Sequence, residues 1–154
     1  MAFFFDSSAG VKYYVTEPGT TWVRQLLEGP EAIFLAEISL AEVAAALGML
    51  ERLRRISRRH RLALWEQFDR DCTERYHLIP MVHHVIYSAA LLCARHPLKA
   101  YDAVQLAAGL ALKGVLEGQA ARTILVSSDE TLLTAAQDEG LTVDNPLWHT
   151  EVDP

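Results

Sequence analysis

Apolar residues fall into short runs separated by longer amphipathic stretches, and the two patterns alternate along the chain. Ala2-Phe3-Phe4-Phe5 is an unbroken apolar run, the pattern of a strand covered on both faces as in the middle of a parallel sheet. It stops at an acid, Asp6, followed by Ser7-Ser8. After Gly10 the spacing of Val11, Tyr14 and Val15 predicts the start of a helix. Glu28-Gly29-Pro30-Glu31 is a turn signal, and Ile33-Phe34-Leu35-Ala36 predicts a second strand. An alanine- and leucine-rich helix is expected over residues 39–55. Another is expected over residues 57–74, with Leu62, Leu64, Trp65 and Phe68 at its apolar positions. Tyr76-His77-Leu78-Ile79-Pro80 predicts a third strand that the proline ends. Residues 81–95 are helical in period, and His96-Pro97 breaks the chain before a strong helix former, residues 98–108. Residues 114–121, with two glycines, read as a loop. Thr123-Ile124-Leu125-Val126-Ser127 predicts a fourth strand, residues 131–138 a helix, and Leu141-Thr142-Val143 a fifth strand closed by Asp144-Asn145-Pro146.

Strands alternating with helices imply parallel βαβ units. The expected fold is α/β, a three-layer α/β/α sandwich with a central, mostly parallel sheet of about five strands. Residues 1–148 are expected to form one domain and residues 149–154 a C-terminal tail. A length of 154 residues suits a single domain with a proper core, and 51% hydrophobic with 22% charged residues is a globular composition.

Several function classes drop out. No apolar run approaches the ~18 residues of a membrane span, and the N-terminus lacks the basic and long apolar regions of a secretory signal. Cys72 and Cys93 have no metal-ligand spacing and are too few for a disulfide framework, so a reducing cytoplasm is expected. His83 and His84 lack an i+4 histidine or a companion cysteine and read as ordinary helix residues. The net charge of −6 argues against broad adhesion to nucleic acid. Yet Arg52, Arg54, Arg55, Arg58, Arg59 and Arg61 crowd into one short stretch, so the charge is unevenly spread.

Four acids carry the candidate chemistry. Each has a local role open to it: a helix cap for Asp6 and Asp129, a capping box with Ser39 for Glu42, and the helix dipole for Asp102. Their joint placement points further. Two follow strands and two lie near helix starts, all positions able to face one end of the sheet, where open α/β folds bind ligands. Carboxylates 4 Å apart repel by roughly 4 kcal/mol at an effective dielectric near 20, so such a cluster takes up protons or binds a cation. An all-oxygen site suits Mg²⁺ or Mn²⁺. Mg²⁺ commonly sits between carboxylates and phosphate, the arrangement for metal-assisted phosphodiester hydrolysis. Ser8 and Ser127 are then the groups placed to orient the carboxylates.

The residues that carry these acids also resemble a known family. In order they are Phe5-Asp6-Ser7-Ser8-Ala9 with Val11-Lys12-Tyr13, then Ser39-Leu40-Ala41-Glu42-Val43, then Tyr101-Asp102-Ala103-Val104-Gln105-Leu106-Ala107-Ala108. Last come Val126-Ser127-Ser128-Asp129 with Gly140-Leu141 and Asn145-Pro146. The set covers nearly the whole chain and resembles the PIN-domain ribonucleases of the VapC toxin type. The resemblance implies a parallel sheet with helices on both sides and a metal site in the groove at the strand ends. It implies Asp6, Glu42 and Asp102 as core acids, with Asp129 as the fourth. It further implies a Mg²⁺- or Mn²⁺-dependent endoribonuclease that acts as the toxin of a toxin–antitoxin pair. Its partners would be RNA as substrate, a cognate antitoxin and a second copy of the chain in a homodimer. Ser127 stands where family members often have threonine, which keeps the hydroxyl, and Leu133 stands where a further acid is common.

Arg54, Arg55 and Arg58 are candidates to hold the RNA phosphates that an acidic groove repels. A solvated helix end, or a contact with a partner chain, fits the same run. Two other readings share the acids. One is a PIN-like module that binds RNA or protein without cutting. The other is a receiver-type α/β domain whose aspartate accepts phosphate; it wants a lysine after a late strand, whereas Lys99 and Lys113 lie in helical stretches.

Overall fold

The computed structural model describes residues 1–119 and 121–154. Among these, five strands form one sheet: β1 (Ala2–Phe5), β2 (Ala32–Ala36), β3 (His77–Ile79), β4 (Thr123–Val126) and β5 (Thr142–Asp144). Their order is β3-β2-β1-β4-β5, and each neighbouring pair is parallel. The helices are α1 (Ser7–Tyr14), α2 (Thr20–Glu28), α3 (Ser39–Arg52), α4 (Arg58–Glu74), α5 (His83–Arg95), α6 (Ala100–Glu117) and α7 (Glu130–Asp138), followed by a 3-10 helix over Pro146–Val152.

The first strand is the central one because its sequence can be buried on both sides. Its side chains alternate across the sheet. Phe3 and Phe5 join one cluster with Val23, Leu27, Val43, Leu47, Leu64 and Phe68, so α1 to α4 cover that face. Phe4 joins the other with Val85, Leu92, Leu106, Leu112 and Leu132, so α5 to α7 cover the opposite face. Burial of each phenylalanine contributes about 1.5–3 kcal/mol, and the result is the expected three-layer sandwich. No helix among the described residues is long and apolar enough to cross a membrane.

Three local expectations differ from the structure. The first helix begins at Ser7, ahead of Gly10, because the Asp6 carboxylate accepts the Ala9 N–H and starts it early. A separate helix, α2, follows the break at Pro18-Gly19. Gly19 has φ +87°, and a Cβ there would lie 2.6 Å from the Pro146 carbonyl oxygen, so only glycine fits. The stretch expected to form a loop from residue 114 is helical to Glu117. A glycine inside a helix costs about 1 kcal/mol, and the packing of Leu112 and Leu116 against the core offsets it. Ala120, in the same expected loop, lies outside the described residues.

The 3-10 helix, Pro146–Val152, spans the boundary at residues 148 and 149 where the tail was expected to begin. The His149 ring stacks on Trp22 with centroids 4.2 Å apart. Asp153 accepts the Gly19 and Thr21 N–H groups at 2.7 and 3.2 Å, which caps the start of α2.

Candidate active site

The order of the strands sets the site. The chain builds outward from β1 through β2 to β3, then returns to place β4 and β5 on the other side of β1. The crevice beyond the carboxyl ends of β1 and β4 is therefore the switch point at which open α/β sheets bind ligands. Asp6 follows β1 and Asp129 lies just beyond β4, and the Asp6 N–H donates to the Val126 carbonyl at 3.0 Å, tying the two strand ends together.

Asp6 is almost completely buried, at 3% exposure. The Ser8 hydroxyl donates to its carboxylate at 2.8 Å, the Ala9 N–H at 3.0 Å and the Ser127 hydroxyl at 2.9 Å. The same two hydroxyls accept backbone N–H groups of the turn after β4: Ser8 Oγ from Ser128 and Ser127 Oγ from Asp129, each at 3.0 Å. The serines thus connect the β4–α7 turn to Asp6. Burial pushes the Asp6 carboxyl up to about 6 from its ordinary 3.8; the three hydrogen bonds pull it down, and the charge of Glu42 adds to the rise. Asp129 caps α7 by accepting the Leu132 N–H at 3.0 Å.

Glu42 stands in the first turn of α3, but no capping box forms. Ile38 occupies the cap position without a side-chain bond. Glu42 instead accepts the Ser7 hydroxyl at Oε2 and the Gln105 Nε2–H at Oε1, the latter at 3.1 Å. Ser39 is buried and accepts from the same Gln105 nitrogen at 3.0 Å. Asp102, in the first turn of α6, is pushed up to about 6 by partial burial and then by the charges of Asp129 and Glu42, with only Lys99 opposing. Asp6, Glu42, Asp102 and Asp129 line one cleft of about 250 Å³, together with Ser7, Ser8, Val11, Ala46 and Tyr101.

The donor set suits a hard divalent ion: four carboxylates and the hydroxyls of Ser7, Ser8 and Ser127, with no sulfur or imidazole among them. The raised Asp102 carboxyl reflects burial first and then repulsion by Asp129 and Glu42, and a cation would offset that repulsion. Among the described residues no group of three or more Asp, Glu, His or Cys side chains is arranged to hold a metal ion. An ion of the Mg²⁺ kind keeps several waters and needs only one or two carboxylates directly.

Residues 3–137 match the family model of the PIN domain. The chain belongs to the PIN domain family. A search of the curated proteins finds no match. Among solved structures, this PIN domain is similar to FitAcB from Neisseria gonorrhoeae, with 17% identity, 96% of this chain and 99% of that chain covered, and a TM-score of 0.68. VapBC2 from Rickettsia felis, bound to a DNA fragment from the promoter, is 12% identical with 94% and 98% covered and a TM-score of 0.64. A toxin–antitoxin complex from Klebsiella pneumoniae is 17% identical with 93% and 96% covered and a TM-score of 0.56. At these identities the likeness is one of fold.

The PIN domain brings together the four acids and both serines singled out from sequence, but not the arginines. Arg54, Arg55 and Arg58 are exposed at the junction of α3 and α4 and line no part of the acid cleft. Ten residues of α3 separate Glu42 from Arg52, about 15 Å along the helix. Three groups beside the acids were not singled out as site residues from sequence: Ser7, Gln105 and Ser39, the last read only as a capping partner of Glu42. For Gln105 a signal existed, since it is the one polar residue between Ala103 and Ala108 on the most buried face of α6.

Proposed function

We propose that this PIN domain is a Mg²⁺- or Mn²⁺-dependent endoribonuclease and the toxin half of a toxin–antitoxin pair. The observation that carries the reading is the convergence of Asp6, Glu42, Asp102 and Asp129, distant in sequence, on one cleft at the strand switch point. Asp6 and Asp102 would hold the ion, with Glu42 and Asp129 alongside. When bound, the ion supplies Lewis acidity toward water and the scissile phosphate. Ser8, Ser127 and the Ala9 N–H fix the Asp6 carboxylate in one orientation. Ser7 and Gln105 do the same for Glu42. The Ser7 and Ser8 hydroxyls are engaged as donors that orient Glu42 and Asp6, and water is the nucleophile in this reading.

RNA would enter over the cleft, its phosphates reaching the arginines at the α3–α4 junction. An apolar groove beside the acids, formed by Ile38, Ala41, Ala45, Met49 and Tyr101, is where an antitoxin would cover the site. The solved toxin–antitoxin complexes of similar fold support that partner. A homodimer would have the exposed Val82, Ile86, Tyr87 and Leu91 of the α5 segment available.

The test is cleavage of a mixed RNA pool with Mn²⁺ and with chelator. Wild type should cut only with the ion. Asp6→Asn and Asp102→Asn should reduce cutting to background with unchanged circular dichroism. In the same assay, alanine at Arg54, Arg55 and Arg58 together should weaken RNA binding and flatten its salt dependence. Divalent-dependent cutting that survives in both acid variants overturns the assignment. RNA binding without cutting by wild type identifies the non-catalytic module instead.

A further inference from the structure

Gln105 is out of place in its surroundings. It is 1% exposed and lies among Ala103, Val104, Leu106, Ala107 and Ala108 on the helix that fills one layer of the core. Both hydrogens of its Nε2 are used: one goes to Ser39 Oγ at 3.0 Å, the other to Glu42 Oε1 at 3.1 Å. Its own carbonyl, Oε1, is buried without a hydrogen-bond partner among the described residues. An unpaired buried acceptor destabilises a fold. Turning the amide over would give Oε1 the Ser39 hydroxyl, but it would also press a carbonyl oxygen against the Glu42 carboxylate. The amide therefore sits as it does because of Glu42.

Resting on the reading of the cleft as a metal site, we propose that Gln105 is the positioning residue for Glu42. Its amide and the Ser7 hydroxyl each hold one carboxylate oxygen, so Glu42 faces the cleft in a single rotamer before any ion arrives. Because Gln105 lies one turn beyond Asp102, α6 then sets two acids at once, Asp102 directly and Glu42 through Gln105. Groups of this kind that orient a ligand typically change metal affinity 10–100-fold when removed.

Gln105→Met and Gln105→Leu keep the volume apolar and remove both donors and the unpaired acceptor. In the metal-free protein, side-chain NMR of Glu42 should show a fixed rotamer in wild type and rotamer averaging in either variant. Melting temperature should change little, because loss of the unpaired Oε1 is offset by the buried Ser39 hydroxyl left without its donor. Mn²⁺ titration of the folded proteins should show a dissociation constant about 10–100-fold weaker in the variants. A Glu42 rotamer that stays fixed in the variants overturns the proposal, as does unchanged Mn²⁺ affinity in a variant that folds. Failure of both variants to fold would make Gln105 a core-stabilising residue and would also overturn it. If wild type itself binds no Mn²⁺, the metal reading fails separately and the Glu42 rotamer alone decides for or against Gln105.

Discussion

Two aspartates are buried among the described residues, and they are compensated in opposite ways. Asp71, on α4, is 6% exposed. It accepts the Tyr14 hydroxyl at 2.7 Å and pairs with Arg75 at 3.3 Å. Tyr14 also meets the Tyr76 hydroxyl at 2.8 Å, and the Arg75 guanidinium lies over the Tyr13 and Tyr76 rings and donates to the Leu27 carbonyl at 2.6 Å. A cation from the chain is built into that cluster, and the cluster ties α1, α2 and α4 together. Asp6 has three hydrogen-bond donors to the two of Asp71 but no cation, and the charge that acts on it from nearby is another acid, Glu42. The first arrangement is complete as folded. The second is satisfied in its hydrogen bonds and unsatisfied in its charge, which is what a site for an external cation requires.

The contrast can be broken from either side. Arg75→Ala should have the largest effect on stability, about 3 kcal/mol, because it leaves Asp71 buried without its counter-charge. Urea unfolding measures this, and the Mn²⁺ response of the variant should match that of wild type. Next in size is the ion itself. At a hundredfold excess over its dissociation constant, Mn²⁺ should stabilise wild type by about 2.7 kcal/mol. A thermal-shift series should show that gain in wild type and Arg75→Ala and its absence in Asp6→Asn. Equal stabilisation of Asp6→Asn would erase the distinction between the two aspartates.

The smallest effect is the dependence of stability on pH. The Asp102 carboxyl in the folded protein sits at about 6, above its ordinary 3.8. A group raised in this way contributes stability that is fully present below about pH 4 and lost as pH rises through 6. Asparagine carries no such dependence. Metal-free Asp102→Asn should therefore gain on wild type between pH 4 and pH 7, by about 1 kcal/mol after allowance for its partial exposure. A difference that stays flat across this range would show that Asp102 feels neither burial nor its acidic neighbours.

The parts of the fold legible in the sequence are those written in local pattern. The Ala2–Phe5 run, the stop at Asp6 and the apolar α6 around Asp102 needed no distant information. Neither did the helix expected over residues 57–74, which is α4 (Arg58–Glu74) with Ser57 as its cap. The parts that misled were decided by contacts between segments far apart. Ser39 and Glu42 have the spacing of a capping box, yet Gln105 and Ser7 claim both side chains. Gly114 looks like a break until the core beside Leu112 and Leu116 is known. Pro18-Gly19 marks a boundary, but the need for glycine comes from Pro146, which the chain supplies much later. Local spacing names candidate partners, and only the tertiary arrangement chooses among them.

The pairing of β1 with β4 also fixes when the cleft can exist during synthesis. Asp6 leaves the ribosome well ahead of the Ser127 hydroxyl that holds it, which lies 121 positions later. At about 5–20 residues per second, the acid waits roughly 6–24 s for its partners. Until Ser127 and Asp129 have emerged, a nascent chain carries β1 without its neighbour on one side and a cleft with one wall missing. A translation product cut short before that point would present scattered acids and no assembled site.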